Sequence, residues 1–247
     1  MCYSALVVQT ARKLNRQFGL KLDYVESERI FACRLEDPGI TISRGFEANF
    51  EDPQNDAERR IKALIDEHRA RQATKFEQDL FSQKTRLVNA ERTLKDKETK
   101  KAREDVRIAT NKIETLTRKL SDLRRTETST RDNRIFPMVY GGVIIRQGAE
   151  NLLTPMRYFC RPQGKPAFYD KKFPGLYNAR RDNLEKFWAE QFGTHHALMV
   201  VESFYENVSL HVMQHREIPI QIELRVMPPL QEHLHSANRR KFIQLLI

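Results

Sequence analysis

The sequence predicts an α+β protein, a mixed β-sheet domain interrupted by a long antiparallel helical hairpin of coiled-coil type. Three observations predict it. No proline occurs between Pro53 and Pro137 and no glycine between Gly45 and Gly141, so the usual loop punctuation is missing from that window. Within it, apolar residues recur in steps of three and four. On both sides of it lie short apolar runs of strand type.

Taken in chain order, Ala5-Leu6-Val7-Val8 and Ile40-Thr41-Ile42-Ser43 read as strands within a first sheet segment, residues 1–56. Residues 57–133 read as helix. Phe76, Leu80, Leu87, Ala90 and Leu94 form one seam, with polar Gln83 where an apolar residue belongs. Val106, Ala109, Ile113, Leu116, Leu120 and Leu123 form a second. The two registers do not join, and Lys95-Asp96-Lys97-Glu98-Thr99-Lys100-Lys101 between them contains no apolar residue, so the chain turns there. A hairpin also returns the chain to its starting point, as an insertion into a compact domain requires.

The second sheet segment, residues 134–226, contains Met138 to Ile145, Ala197 to Val201, and Pro219 to Val226 with alternating Ile220, Ile222, Leu224 and Val226. Asn183 to Phe192 reads as a short helix with Leu184, Phe187 and Trp188 on one face. From Met227 to Ile247 the chain reads as an atypical C-terminal tail, with Pro228-Pro229 followed by a polar, helix-like run through Arg239-Arg240-Lys241.

Of the 247 residues, 40% are hydrophobic and 31% charged, enough for a core with unusual polar mass outside it. No apolar run approaches the roughly 18–20 residues that span a bilayer, and the start lacks the charged flank and apolar stretch of a signal peptide. Three cysteines, Cys2, Cys33 and Cys160, make no disulfide ladder. These features predict a soluble, cytoplasmic protein of a reducing compartment and no membrane partner. Lys and Arg number 43 against 33 Asp and Glu, a net charge of +10 that suits polyanions, although a solvated basic helix face gives the same excess. Residues 57–133 hold 21 Lys and Arg against 14 Asp and Glu, so most of that excess sits on the hairpin.

Cys2 carries the most chemical information. Removal of the initiator Met exposes an α-amine and a thiol on one residue, with ordinary pKa values of about 8 and about 8.5. Such a pair can attack one aldehyde in succession. The amine gives a Schiff base and the thiol closes a five-membered thiazolidine, which no internal cysteine can do.

Three further segments follow in order: Pro155-Met156-Arg157-Tyr158, Tyr177-Asn178-Ala179-Arg180, and Leu198 to Glu206 ending in Phe204-Tyr205-Glu206. Behind Met1-Cys2, this series resembles the SOS response-associated peptidase (SRAP) family, over roughly residues 1–50 and 134–208. The resemblance implies covalent capture of abasic-site aldehydes in single-stranded DNA, with associated peptidase (self-processing) and lyase activity and no cofactor. It implies Cys2 as nucleophile, Asn178 holding the sugar or the amine, Glu206 shuttling protons and Arg180 contacting a phosphate. The family's late histidine lies in an H-x-R-M-P-like segment; His215, only nine positions beyond Glu206 and with arginine and methionine displaced from the pattern, is either its counterpart after loss of an intervening stretch or an accidental likeness. Tyr3-Ser4 stands where the family commonly has Gly-Arg, which puts one phosphate contact of the family in doubt here.

Arg157, Arg161, Lys171 and Lys172 interleave with Tyr158, Phe168, Tyr169, Phe173 and Tyr177, a composition that suits a single-strand groove and equally a loop packed on the sheet. His195-His196, His211, His233 and His235 have no standard zinc spacing, so no metal is expected. A second reading stays open: a non-enzymatic, basic coiled-coil nucleic-acid-binding or adaptor protein on a degraded SRAP remnant. In either reading the hairpin can self-associate.

Overall fold

The computed structural model describes residues 4–177, 179, 181–192, 196–205 and 241–246. The chain forms two units, Met1–Lys62 with Thr128–Ile247, and Ala63–Glu127. In chain order the elements are β1 (Ser4–Val7), α1 (Ala11–Phe18), β2 (Leu20–Leu22), α2 (Tyr24–Glu36), β3 (Thr41–Ile42) and α3 (Arg44–Glu47). Then come α4 (Asp56–Asp96), α5 (Lys100–Arg124), β4 (Arg134–Ile135), β5 (Val139–Gln147) and β6 (Glu150–Arg157). The last are α6 (Phe168–Lys172), β7 (His196–Tyr205) and β8 (Lys241–Leu246). A mixed α+β architecture with a long helix pair is what these elements make.

In the first unit the strands form one mixed sheet in the order β2-β6-β5-β7-β1-β4, with β3 added to β5 and β8 to β7. β2 runs parallel to β6 and β3 parallel to β5, while the other pairs are antiparallel. β5 and β6 are joined by a two-residue turn, Gly148-Ala149, between the paired Gln147 and Glu150. Gly148 supplies the positive φ (59°) that lets so short a loop follow the strand twist.

Local chemistry sets the helix ends. Gly19 closes α1 in the left-handed conformation, its N–H donating to the Asn15 carbonyl at 2.9 Å. Asp23 opens α2 by accepting the Glu26 N–H at 3.0 Å. The first turns of α4 are tied to α2. The Tyr24 hydroxyl donates to Glu58 at 2.7 Å and Arg60 holds Glu28 through two bonds of 2.9 and 3.0 Å. Burial, with the Glu58 hydrogen bond second, raises the Tyr24 pKa above its ordinary value.

Two clusters form the core of this unit. Ala5, Val7, Ile135, Val143, Tyr158, Ala197, Met199 and Val201 pack together across β1, β4, β5 and β7. Phe31, Phe46 and Phe50 form the other, with ring centroids 5.7–6.4 Å apart and no exposure. The Arg34 guanidinium lies 5.0 Å from the Phe31 ring and pairs with Glu47, both side chains being more than nine-tenths buried. Gly45 sits beside this cluster, where a Cβ would come within 2.0 Å of Asn133 Oδ1 and 3.0 Å of the Asp132 carbonyl. Gly45→Ala is therefore expected to destabilise the fold by about 1–3 kcal/mol through overpacking. Urea titration checks this; an unchanged midpoint would contradict it.

The second unit is an antiparallel helix pair. Arg86 of α4 bonds Asp105 of α5, Glu77 bonds Arg124, and Lys119 lies 5.6 Å from the Phe76 ring. Partners on α5 thus move toward its C-terminus as those on α4 move toward its N-terminus. The buried and half-buried positions include 76, 80, 83, 87, 90, 94 and 102, 106, 109, 113, 116, 120, 123, the three-four rhythm of a helix-packing seam. Gln83 occupies its place in that seam with Oε1 buried and without a hydrogen-bond partner among the described residues. The turn falls at Lys97-Glu98-Thr99, and Thr99 caps α5 by accepting the Ala102 N–H at 3.2 Å.

Three expectations are corrected. Residues 128–133 belong with the sheet unit: Ser129 and Asp132 form a reciprocal capping box that starts a 3-10 turn at Thr130–Asn133. Asn183 to Phe192 is a run of turns, because its carbonyls are shared irregularly. Asn183 accepts from both Lys186 and Trp188, and Trp188 from both Gln191 and Phe192. Trp188 is buried while Phe187 is half exposed, so one apolar face does not form. The 227–247 tail is not wholly off the sheet, since Lys241–Leu246 is strand β8, antiparallel to β7 from His196↔Leu246 to Val201↔Lys241. Phe242 and Ile243 favour a strand, which the basic run before them obscured. Residues 11–36, unassigned from sequence, form two helices. The strand expected at Pro219 to Val226 lies outside the described residues.

Candidate functional site

β1 is short and apolar, and it lies between β7 and β4. Its antiparallel register with β7 sets Ser4 opposite Tyr205, Ala5 opposite Phe204 and Leu6 opposite Ser203, with a bulge before Val7↔Val201. The start of the described chain and the C-terminal end of β7 therefore meet at one end of the sheet. Cys2 precedes Ser4 by two residues and Glu206 follows Tyr205 by one. Cys2, Asn178, Arg180, Glu206 and His215 all lie outside the described residues.

The segment leading to Asn178 is tied to the end of β6 at a neighbouring place. The Leu176 carbonyl accepts the Cys160 N–H at 3.0 Å. Tyr158, two residues before Cys160, shares the buried cluster that contains Ala5 and Val201.

Arg134, which no sequence motif singled out, is brought to the same sheet end by the β1–β4 pair. It stands opposite Leu6 in the β1–β4 pair, on the face of the sheet that Ser4 also occupies, because alternate strand residues share a face. Its Nε and Nη2 both donate to the Ser4 hydroxyl, at 3.1 and 3.0 Å. Its guanidinium carbon lies 4.0 Å from the Tyr205 ring centroid and 5.2 Å from that of Phe136. Ser4 is fully buried, whereas Tyr205 and Phe136 are 41% and 38% exposed. No carboxylate pairs with Arg134 among the described residues. The only sequence signal was an arginine two places before an aromatic in a short strand.

The other cations divide into two kinds. Arg157 and Arg161 converge on Asp170, which is 2% exposed: Arg157 Nη2 bonds its Oδ2, and Arg161 Nη1 donates to the same oxygen at 3.1 Å. A buried carboxylate thus holds both arginines and joins β6, its following loop and α6. This makes their first role structural, where the sequence offered them for phosphate. Lys171 and Lys172 are exposed, with no carboxylate paired to either among the described residues. Lys172 lies 5.5 Å from the Phe173 ring, and Phe173 packs on Tyr169 at 4.3 Å. Phe168 is 63% exposed. α6 thus carries cations and open aromatic faces side by side.

Among the described residues no three His, Cys, Asp or Glu side chains group as metal ligands, and no helix is long and apolar enough to cross a membrane. Compared with known proteins, the chain matches no family model, no curated protein and no solved structure.

Proposed function

We propose that this chain is an SRAP-like DNA-damage response protein, in which mature Cys2 forms a thiazolidine with the ring-opened aldehyde of an abasic site in single-stranded DNA. The observation that carries this reading is the Ser4–Tyr205 pair. Directly opposed antiparallel residues have Cα atoms about 4.5–5.5 Å apart, and an extended chain reaches at most about 3.6 Å per residue. Two residues of chain on one side of that pair and one on the other add at most about 11 Å of reach, which is compatible with the proposed chemistry. Ser4 and Tyr205, the described residues nearest in sequence to the proposed nucleophile and acid, are paired at one sheet end, and that supports the reading.

The chemistry balances without a cofactor. The Cys2 amine adds to the aldehyde carbon, and loss of water gives the Schiff base. The thiol sulfur then adds to that carbon, and its proton ends on the ring nitrogen. One C=O bond is exchanged for one C–N and one C–S bond, and water is the only by-product. Glu206 is the proposed acid for the departing hydroxyl and afterwards the base for the thiol, one carboxyl serving both steps. Asn178 orients the sugar or the amine, Arg180 takes a phosphate, and Lys171 and Lys172 with the α6 aromatics follow the strand. Peptidase (self-processing) and lyase capacities belong to the same reading.

Intact-mass measurement with and without abasic single-stranded DNA tests it. The expected result is loss of Met1 in the free protein and a covalent protein–DNA species on mixing. Retained Met1, or no adduct, would refute it.

A second reading rests on the hairpin turn. Arg71, Arg86, Arg103, Arg107, Arg124 and Arg125 each pair with a carboxylate in that unit, which makes much of its basic surface a matched one. Lys95, Lys97, Lys100 and Lys101 at the turn are exposed and have no carboxylate partner among the described residues. They suit a nucleic-acid backbone or an acidic partner, in an adaptor role independent of Cys2. Nucleic-acid binding that survives Cys2→Ala and is lost on excising the hairpin would select this reading.

A further inference from the structure

We infer that Arg134, stacked on Tyr205, is a phosphodiester contact for single-stranded DNA at this sheet end, an inference that rests on the proposed trapping reaction and names a residue it did not include. A guanidinium has five N–H donors in a fixed fork. Two from Arg134 meet the Ser4 hydroxyl, and the other three meet no acceptor among the described residues. The Tyr205 ring covers one face at 4.0 Å and Phe136 stands toward the group at 5.2 Å, so bonding is left to the edge. That edge is what a phosphodiester accepts in bidentate fashion. Ser4 anchors the fork from beneath, fully buried itself. Stacking and anchoring fix the rotamer before a ligand arrives, so little side-chain entropy remains to be lost.

The position matters as much as the chemistry. Ser4 and Tyr205 are the described residues that flank Cys2 and Glu206 along the chain, and both touch Arg134. A phosphate held there lies next to the nucleotide that reacts. Arg134 also stands 130 residues from Ser4, so it places a cation beside position 4 from a remote part of the chain.

Fluorescence anisotropy of the full chain with a labelled single-stranded oligonucleotide lacking abasic sites reads this contact without any covalent step. Arg134→Gln is expected to raise Kd about tenfold and to reduce the slope of log K against log salt by about 0.7, the share of one phosphate on a single strand. Arg134→Lys keeps the charge and loses the fork, so the salt slope stays while Kd rises about threefold. Arg134→Lys also serves if the glutamine variant fails to fold, as checked by circular dichroism. Unchanged Kd in either folded variant would overturn the contact. Wild-type protein that forms no adduct, with Arg134→Gln still weakening binding, would sink the trapping reaction and leave the contact standing. Full adduct yield with binding unaffected by Arg134→Gln would do the reverse.

Discussion

Cys2→Ala and Cys2→Ser are expected to abolish the stable adduct with abasic single-stranded DNA. Alanine keeps the amine, which stops at a Schiff base that water reverses. Serine offers a hydroxyl whose anion is negligible near neutrality, so the second ring bond does not persist. Adduct surviving heat denaturation should fall by at least about a hundredfold in both, since only the thiolate is a strong nucleophile at this pH. Glu206→Gln provides the complementary pattern: the rate falls by about 10²–10⁴ while the final yield is retained, because a general acid alters the path and not the product. Denaturing gel electrophoresis of time courses separates the two effects. Undiminished yield from either Cys2 variant would remove Cys2 from the mechanism.

The second large effect is on the fold. Arg34 and Glu47 form an ion pair between α2 and α3, inside a cluster of three phenylalanines, with both side chains nearly sealed from water. Arg34→Ala leaves the Glu47 carboxylate buried without its partner and opens space against Phe31. A loss of roughly 3–5 kcal/mol is expected from breaking such a pair. Arg34→Met with Glu47→Leu should recover most of it, because the uncompensated charge goes with its partner. Equilibrium urea unfolding measures both. A loss under about 1 kcal/mol in Arg34→Ala would show that water reaches the pair.

Much of the architecture is legible in the amino-acid sequence. A helix pair declares itself through what it lacks: with no proline or glycine, and with two seams out of register, the chain between Asp56 and Arg124 can be little else. The strands β1, β3, β5 and β7 are visible as apolar runs because each is buried on at least one face. The helices α1 and α2 are not. α1 has a clean stripe, but in two turns it amounts only to Ala11, Leu14 and Phe18, too short a pattern to stand out, while α2 exposes Val25 almost fully and buries Ser27 and Arg34, so it presents no clean stripe. The Asn183 to Phe192 segment errs the other way. Its apolar spacing imitates a helix, yet its hydrogen bonds are those of successive turns.

The candidate site is legible only in part, for a physical reason. Residues that act are spaced by the fold, and short motifs record the nearest of them. Arg157 and Arg161 look like phosphate ligands when read along the chain. Only the three-dimensional arrangement reveals Asp170 claiming both. Arg134 carries no motif at all. It becomes visible once Leu6↔Arg134 and Ser4↔Tyr205 are paired in one sheet.

The most direct test of the account is peptide mapping of the DNA adduct. After nuclease trimming and proteolysis, tandem mass spectrometry should find the sugar remnant on a peptide that begins at Cys2, bridging its nitrogen and sulfur, and on no lysine. A remnant on the lysines of the hairpin or of α6, with the Cys2 peptide unmodified, would contradict the account.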